Sequence, residues 1–113
     1  MSDASGIWSE VEVAGHACQV FEPARPSEHG YTVLYLHCNR GAKLAAYPAF
    51  TREFDRHGLR AIQPMTGQSW WTDRPWAEFD SSITAEAYVR CPVLDFVAER
   101  WDARVSYAVA VGI

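Results

Sequence analysis

Basic character is scarce in this sequence. The chain holds 10 lysines and arginines against 14 aspartates and glutamates, a formal charge of −4, and the cations form no run or stripe. Nucleic-acid backbones are held by clustered cations, so this balance argues against a nucleic-acid partner. Long apolar runs are also lacking. No stretch approaches the ~20 residues needed to cross a bilayer, which argues against a membrane protein. Residues 1–6 are small and polar, so a secretory signal is not expected. Cysteines number only 3, namely Cys18, Cys38 and Cys91, and no two form a C-x-x-C pair. An odd, scattered set fits free thiols in a reducing cytosol rather than a disulfide framework, so a cytoplasmic location is expected. His16, His29, His37 and His57 do not cluster, which argues against a zinc site. Internal repeats, low-complexity tracts and dividing linkers are missing too, so residues 1–113 are expected to form a single domain.

What is present reads as a packed protein. With 49% hydrophobic and 13% aromatic residues, the chain has the material for a modest core. Residues 8–13 alternate, with Val11 and Val13 on one face. Ala14-Gly15-His16 is a turn signal and 17–22 a second strand, which together predict an antiparallel hairpin. A polar, proline-bounded loop follows over 23–30. Residues 32–37 are apolar on both faces, the pattern of a central strand covered on both sides.

The period then changes. From Ala46 the spacing is helical, with Tyr47, Phe50 and Phe54 on one face and Arg52, Glu53, Asp55 and Arg56 on the other. Gly58 supplies a left-handed cap, and residues 59–65 form the next strand, closed by Pro64. Strand, helix and strand over this length predict a right-handed βαβ crossover. A long loop spans 66–82, of a length that is often functional. Thr84 can cap a helix reaching Trp101, with Leu94, Val97 and Trp101 on one face and Phe96 beside it. Pro92 inside it predicts a kink or a break, with Cys91 at the joint. Residues 105–113 are a β-branched run ending Val109-Ala110-Val111-Gly112-Ile113, read as a buried parallel strand.

Hairpin, central strand ending in His37, loop, helix, strand, helix, strand: this order resembles the first half of the α/β-hydrolase fold, in its esterase and acyl-hydrolase branch. The segments Leu36-His37-Cys38-Asn39, 50–60 and Trp70-Trp71-Thr72-Asp73-Arg74 carry the likeness, and it extends from about residue 10 to residue 113. The resemblance implies an α/β fold with a mostly parallel sheet in the order 1-2-4-3-5, begun by the antiparallel hairpin and flanked by helices on both faces. It also implies a serine hydrolase acting on a small carboxylic ester or related acyl substrate, without metal or organic cofactor. Val111-Gly112-Ile113 looks like the approach to the family's Gly-x-Ser-x-Gly elbow. The serine, acid and histidine of the triad would then lie beyond residue 113. The chain is expected to be the N-terminal part of such an enzyme and inactive alone.

Within the chain, the resemblance places oxyanion-hole donors at the backbone of Cys38 and Asn39. The family has glycine where Cys38 stands, and glycine there permits close backbone approach to substrate. A loop that simply closes the strand is the other reading. His37 is read as a buried histidine that orders the loop by hydrogen bonding, with a catalytic role as the alternative. Trp70 and Trp71 can form a wall of the substrate pocket or a plug that packs the long loop down. Asp73-Arg74 reads as a local ion pair or a turn rather than an acid–base pair. Asp80 reads as a loop acid and Glu86 as a helix-start acid favoured by the dipole. Cys18 and Cys91 read as small core residues.

Two other classes stay open. His37-Cys38-Asn39-Arg40-Gly41 is similar to the His-Cys-x-x-Gly start of cysteine-dependent phosphatases, in which a thiolate at a helix N-terminus attacks phosphate. That loop needs an arginine soon after its glycine, and the position holds Leu44. The third reading is a non-catalytic α/β scaffold or binding domain. In that case the apolar last strand, as an exposed edge, favours self-association.

Overall fold

A two-residue turn starts the sheet. The computed structural model describes residues 6–26, 28, 32–37, 43–66, 79–80, 82–101 and 108–112. Strands β1 (Ile7–Val13) and β2 (His16–Glu22) pair antiparallel, with Val13 opposite His16. Ala14 and Gly15 alone make the connection, at φ 49° and 86°. Positive φ at both positions gives the turn a twist that matches the strands.

β3 (Thr32–Leu36) and β4 (Arg60–Pro64) are the parallel pair of a βαβ unit. Between them stand a short 3₁₀ turn (Leu44–Ala46) and α1 (Pro48–Arg56). Pro48 occupies the first helical position, where its missing N–H costs nothing. Tyr47 precedes it in extended conformation and caps the helix, so it lies outside the helical period. It is half exposed, meeting Phe50 edge-on, and does not join the buried face. The helix ends in a Schellman motif. Gly58 has φ 63°, Leu59 N–H donates to Phe54 O (2.8 Å), and Gly58 N–H donates to Asp55 O (3.2 Å).

The segment after the long loop is helical but not uniform. α2 (Ala85–Tyr88) is capped by Thr84, whose Oγ1 accepts from Ala87 N–H at 3.1 Å. A π-helical turn (Val89–Val93) follows, then α3 (Leu94–Trp101). Pro92 explains the turn. Its ring would clash with the carbonyl four residues back, and the wider turn relieves that contact. The widening leaves Cys91 exposed, not in the core as the sequence led us to expect; Cys18 is buried.

β5 (Ala108–Gly112) pairs parallel with β3 from Thr32↔Ala108 to Leu36↔Gly112. The five strands lie in the order β1-β2-β4-β3-β5. β2 runs antiparallel to β4, so the hairpin closes one side of a parallel three-stranded centre. Alternation along the strands sends side chains into two cores. Val20, Leu34 and Ile62 pack with Tyr88, Val93 and Val97 on the face of α2 and α3. Phe21, Val33, Tyr35 and Ala61 pack with Leu44 and Phe54 on the face of α1. The indole of Trp8 donates to Thr51 Oγ1 (2.8 Å) and fastens β1 to α1.

Candidate active site

The three parallel strands β4, β3 and β5 all finish at one edge of the sheet. Leu36 and Gly112 stand opposite each other there, with His37 and Thr66 just beyond. In open α/β sheets this carboxyl edge is where ligands bind. Unusually for an interior so apolar, it is also where polar side chains are buried: His37, Gln63 and Thr66 are each at most 3% exposed.

Two of these side chains accept hydrogen bonds from other elements of the fold. Thr66 N–H donates to His37 Nε2 at 3.1 Å, linking the exits of β3 and β4. Leu44 N–H donates to Gln63 Oε1 at 3.0 Å, holding the 3₁₀ turn to β4. The strand period puts Gln63 on the α1 face with Ala61, where Leu44 is packed. The chain between β3 and α1 is therefore anchored by buried acceptors on both of its flanks. Satisfying a backbone N–H with a buried side chain contributes about 1 kcal/mol net and costs more if the acceptor is removed.

The His37 bond also limits what that ring can do. A nitrogen that accepts from a backbone N–H carries no proton, so the ring is neutral with its hydrogen on Nδ1. With Nε2 engaged, His37 ties the exit of β3 to Thr66 and is not positioned as a free base through that nitrogen. Its neighbour Leu36 faces the other way. Together with Val89 and Leu94 it lines an apolar groove of about 250 Å³, with Glu86 and Arg90 at the rim. Those two are ion-paired at 2.9 Å in an i,i+4 relation.

Other expected chemistry falls elsewhere. Cys18 is fully buried in the core, where burial pushes its thiol up and a contact with the Tyr88 hydroxyl only partly offsets this. Asp80 is more than a loop acid, since it pairs with His16 at 2.8 Å. Among the described residues no group of three His, Cys, Asp or Glu side chains could hold a metal ion. No helix among them is long and apolar enough to cross a membrane. Cys38, Asn39, Trp70, Trp71 and Asp73-Arg74 lie outside the described residues. Sequence reasoning overlooked Gln63 and Thr66. The available signal was a polar residue next to the end of an otherwise apolar strand.

Comparison with known proteins then bears on the fold. No protein-family model matches the chain, and no curated protein sequence does. Solved structures do match. An S-formylglutathione hydrolase from Agrobacterium tumefaciens superposes with a TM-score of 0.71 at 15% identity, covering 99% of this chain and 50% of its own. A protein assigned as a dienelactone hydrolase, from Klebsiella pneumoniae, gives 0.67 at 14% identity, covering 97% and 50%. At such identities the likeness is one of fold. The chain spans about half the length of either protein, and over that span it has the α/β-hydrolase fold.

Proposed function

We propose that this chain is part of a serine hydrolase that acts on small carboxylic esters or related acyl substrates. The observation that carries the reading is the convergence of β4, β3 and β5 at one edge, with a buried histidine bonded across it, in a fold shared with two hydrolases. In this reading the chain leaving β3 supplies oxyanion donors, the backbone N–H groups of Cys38 and Asn39. Trp70 and Trp71 wall the acyl or leaving-group side of the pocket. β5 leads to the nucleophile, and the serine, its base and its acid belong to sequence after residue 113. His37 has a positioning role and does not take the proton. The serine attacks the carbonyl carbon, the base removes its proton, and the donors stabilise the oxyanion that forms.

Esterase assays on p-nitrophenyl acetate test this directly. Residues 1–113 alone should release nitrophenolate no faster than buffer. A protein extended past residue 113 into a Gly-x-Ser-x-Gly segment and the rest of the fold should turn the ester over, and lose on the order of a hundredfold or more when that serine is replaced by alanine. Turnover by residues 1–113 that disappears in Cys38→Ala would replace the serine reading with a thiol one.

A further inference from the structure

The stretch joining β4 to α2 leaves the sheet at Thr66 and is met again at Phe79 and Asp80. Both ends are fastened by a histidine from another strand, and the two fastenings need opposite things of a proton. At the first end Thr66 N–H donates to His37 Nε2 (3.1 Å), a bond that exists only while that nitrogen keeps its lone pair. At the second end His16 Nε2 lies 2.8 Å from Asp80 Oδ2. The His16 ring stacks on Phe79, with centroids 4.2 Å apart, and meets the edge of Tyr88 at 5.2 Å. The other Asp80 oxygen accepts from Ser82 N–H (2.8 Å) and Ser82 Oγ (2.6 Å). Neutral His16 gives this carboxylate an N–H, and protonated His16 adds a full charge to the same bond.

We propose that His37 and His16 form a pair of tethers with opposed proton dependence, so that acidification frees the chain at Thr66 while it keeps or tightens the hold on Asp80. The surroundings fit. His16 faces the Asp80 carboxylate, the Tyr88 hydroxyl from α2 and, further along β2, the Cys18 thiol bonded to that hydroxyl at 3.4 Å. Burial pushes the Tyr88 phenol and the Cys18 thiol up, so both stay neutral and Asp80 supplies the charge. Hydrogen bonds from Ser82 and then His16 hold the Asp80 carboxyl well below the usual carboxylate range, so mild acid leaves it ionised. On the His37 side, the same sheet face carries the Tyr35 phenol and the Gln63 amide. The device acts on the fold and does not depend on which reaction the protein performs.

Amide hydrogen exchange read by NMR on this chain tests it, as protection factors at Thr66 and Ser82 from about pH 8 to about pH 5, the range in which histidines titrate. Thr66 protection should fall on the order of tenfold across that range while Ser82 protection holds or rises. His37→Gln, whose Oε1 can accept the same N–H without titrating, should make the Thr66 protection flat. His16→Gln should leave the Thr66 response in place and abolish any rise at Ser82. In the unmutated chain, the ¹⁵N shift of His37 Nε2 should move together with the Thr66 amide, which keeps the test open if a variant does not fold. Thr66 protection that is flat in the unmutated chain, or that falls in step with Ser82, overturns the proposal.

Discussion

The hydroxyl of Tyr88 donates to the carbonyl oxygen of Val13 at 2.9 Å, across 75 residues of chain. This one bond joins α2 to the last residue of β1. The ring is fully buried, and burial pushes the phenol far above its ordinary range, so it remains a donor at any working pH. Tyr88→Phe would leave the Val13 carbonyl without that donor in a dry setting. The expected loss is about 1–2 kcal/mol of folding free energy. Tyr88→Ala adds a cavity and should cost about 3–5 kcal/mol. Urea denaturation of the two variants separates the polar from the packing contribution, and equal midpoints would contradict the assignment.

The hairpin turn holds a residue that does not suit it. Ala14 sits at φ 49°, where a Cβ is strained, while Gly15 at 86° is at ease. Asparagine tolerates this conformation better. Ala14→Asn should therefore raise stability by roughly 0.5–1 kcal/mol, seen as a higher melting temperature with an unchanged circular dichroism spectrum. A lower melting temperature would show that the turn relaxes in solution.

Gly6 is required for another reason. A Cβ there would press on the Phe21 ring and lie 2.6 Å from the Glu22 carbonyl oxygen. Phe21 is fully buried among Val33, Tyr35 and Phe54 and has little room to yield. Gly6→Ala should cost roughly 1–3 kcal/mol, measured by chemical denaturation. The same substitution at Gly15 meets no atom within 4 Å, so its cost comes from φ alone.

Asp80 gives stability a pH dependence of known sign. Its carboxyl is held below the ordinary range by Ser82 and His16. A depressed value in the folded state favours folding above the ordinary aspartate value of about 3.9, and the benefit is lost as pH falls toward the folded-state value. The group is partly exposed, so the effect is modest and salt-sensitive. Asp80→Asn should be less stable than the parent near about pH 6, with a deficit that shrinks toward about pH 2.5. Urea midpoints at the two pH values decide it, and a deficit of constant size would contradict the linkage.

Elements defined by near neighbours were legible in the sequence. The apolar run of β3, the glycine after α1, the cap at Thr84 and the interruption at Pro92 each depend on a few adjacent residues. Even there, local reading placed Tyr47 on the helix because the spacing fits, whereas Pro48 starts the helix one residue later. Relationships across the fold were not legible. Tyr88 with Val13, His16 with Asp80, and His37 with Thr66 are separated by 75, 64 and 29 residues. No periodicity marks such pairs, because nothing about either residue names its partner until the strands are ordered. That His37 is buried and hydrogen-bonded was readable from its place at a strand end. The bond from Leu44 N–H to Gln63 was not, since a glutamine near the end of an apolar strand marks a buried polar position without naming its partner.

Pro64 ends β4 while fully buried in the middle of the sheet. Met65 N–H donates to Ala17 O on β2, so alternation aims position 64 at β3, the side on which proline has nothing to offer. From there outward the main chain no longer joins β4 to β3, and the task passes to the imidazole of His37. Connections made by backbone are the same for every sequence, whereas one made by a side chain can be rewritten by a single codon. The rim of this sheet is thus open to evolutionary change that its interior would not survive.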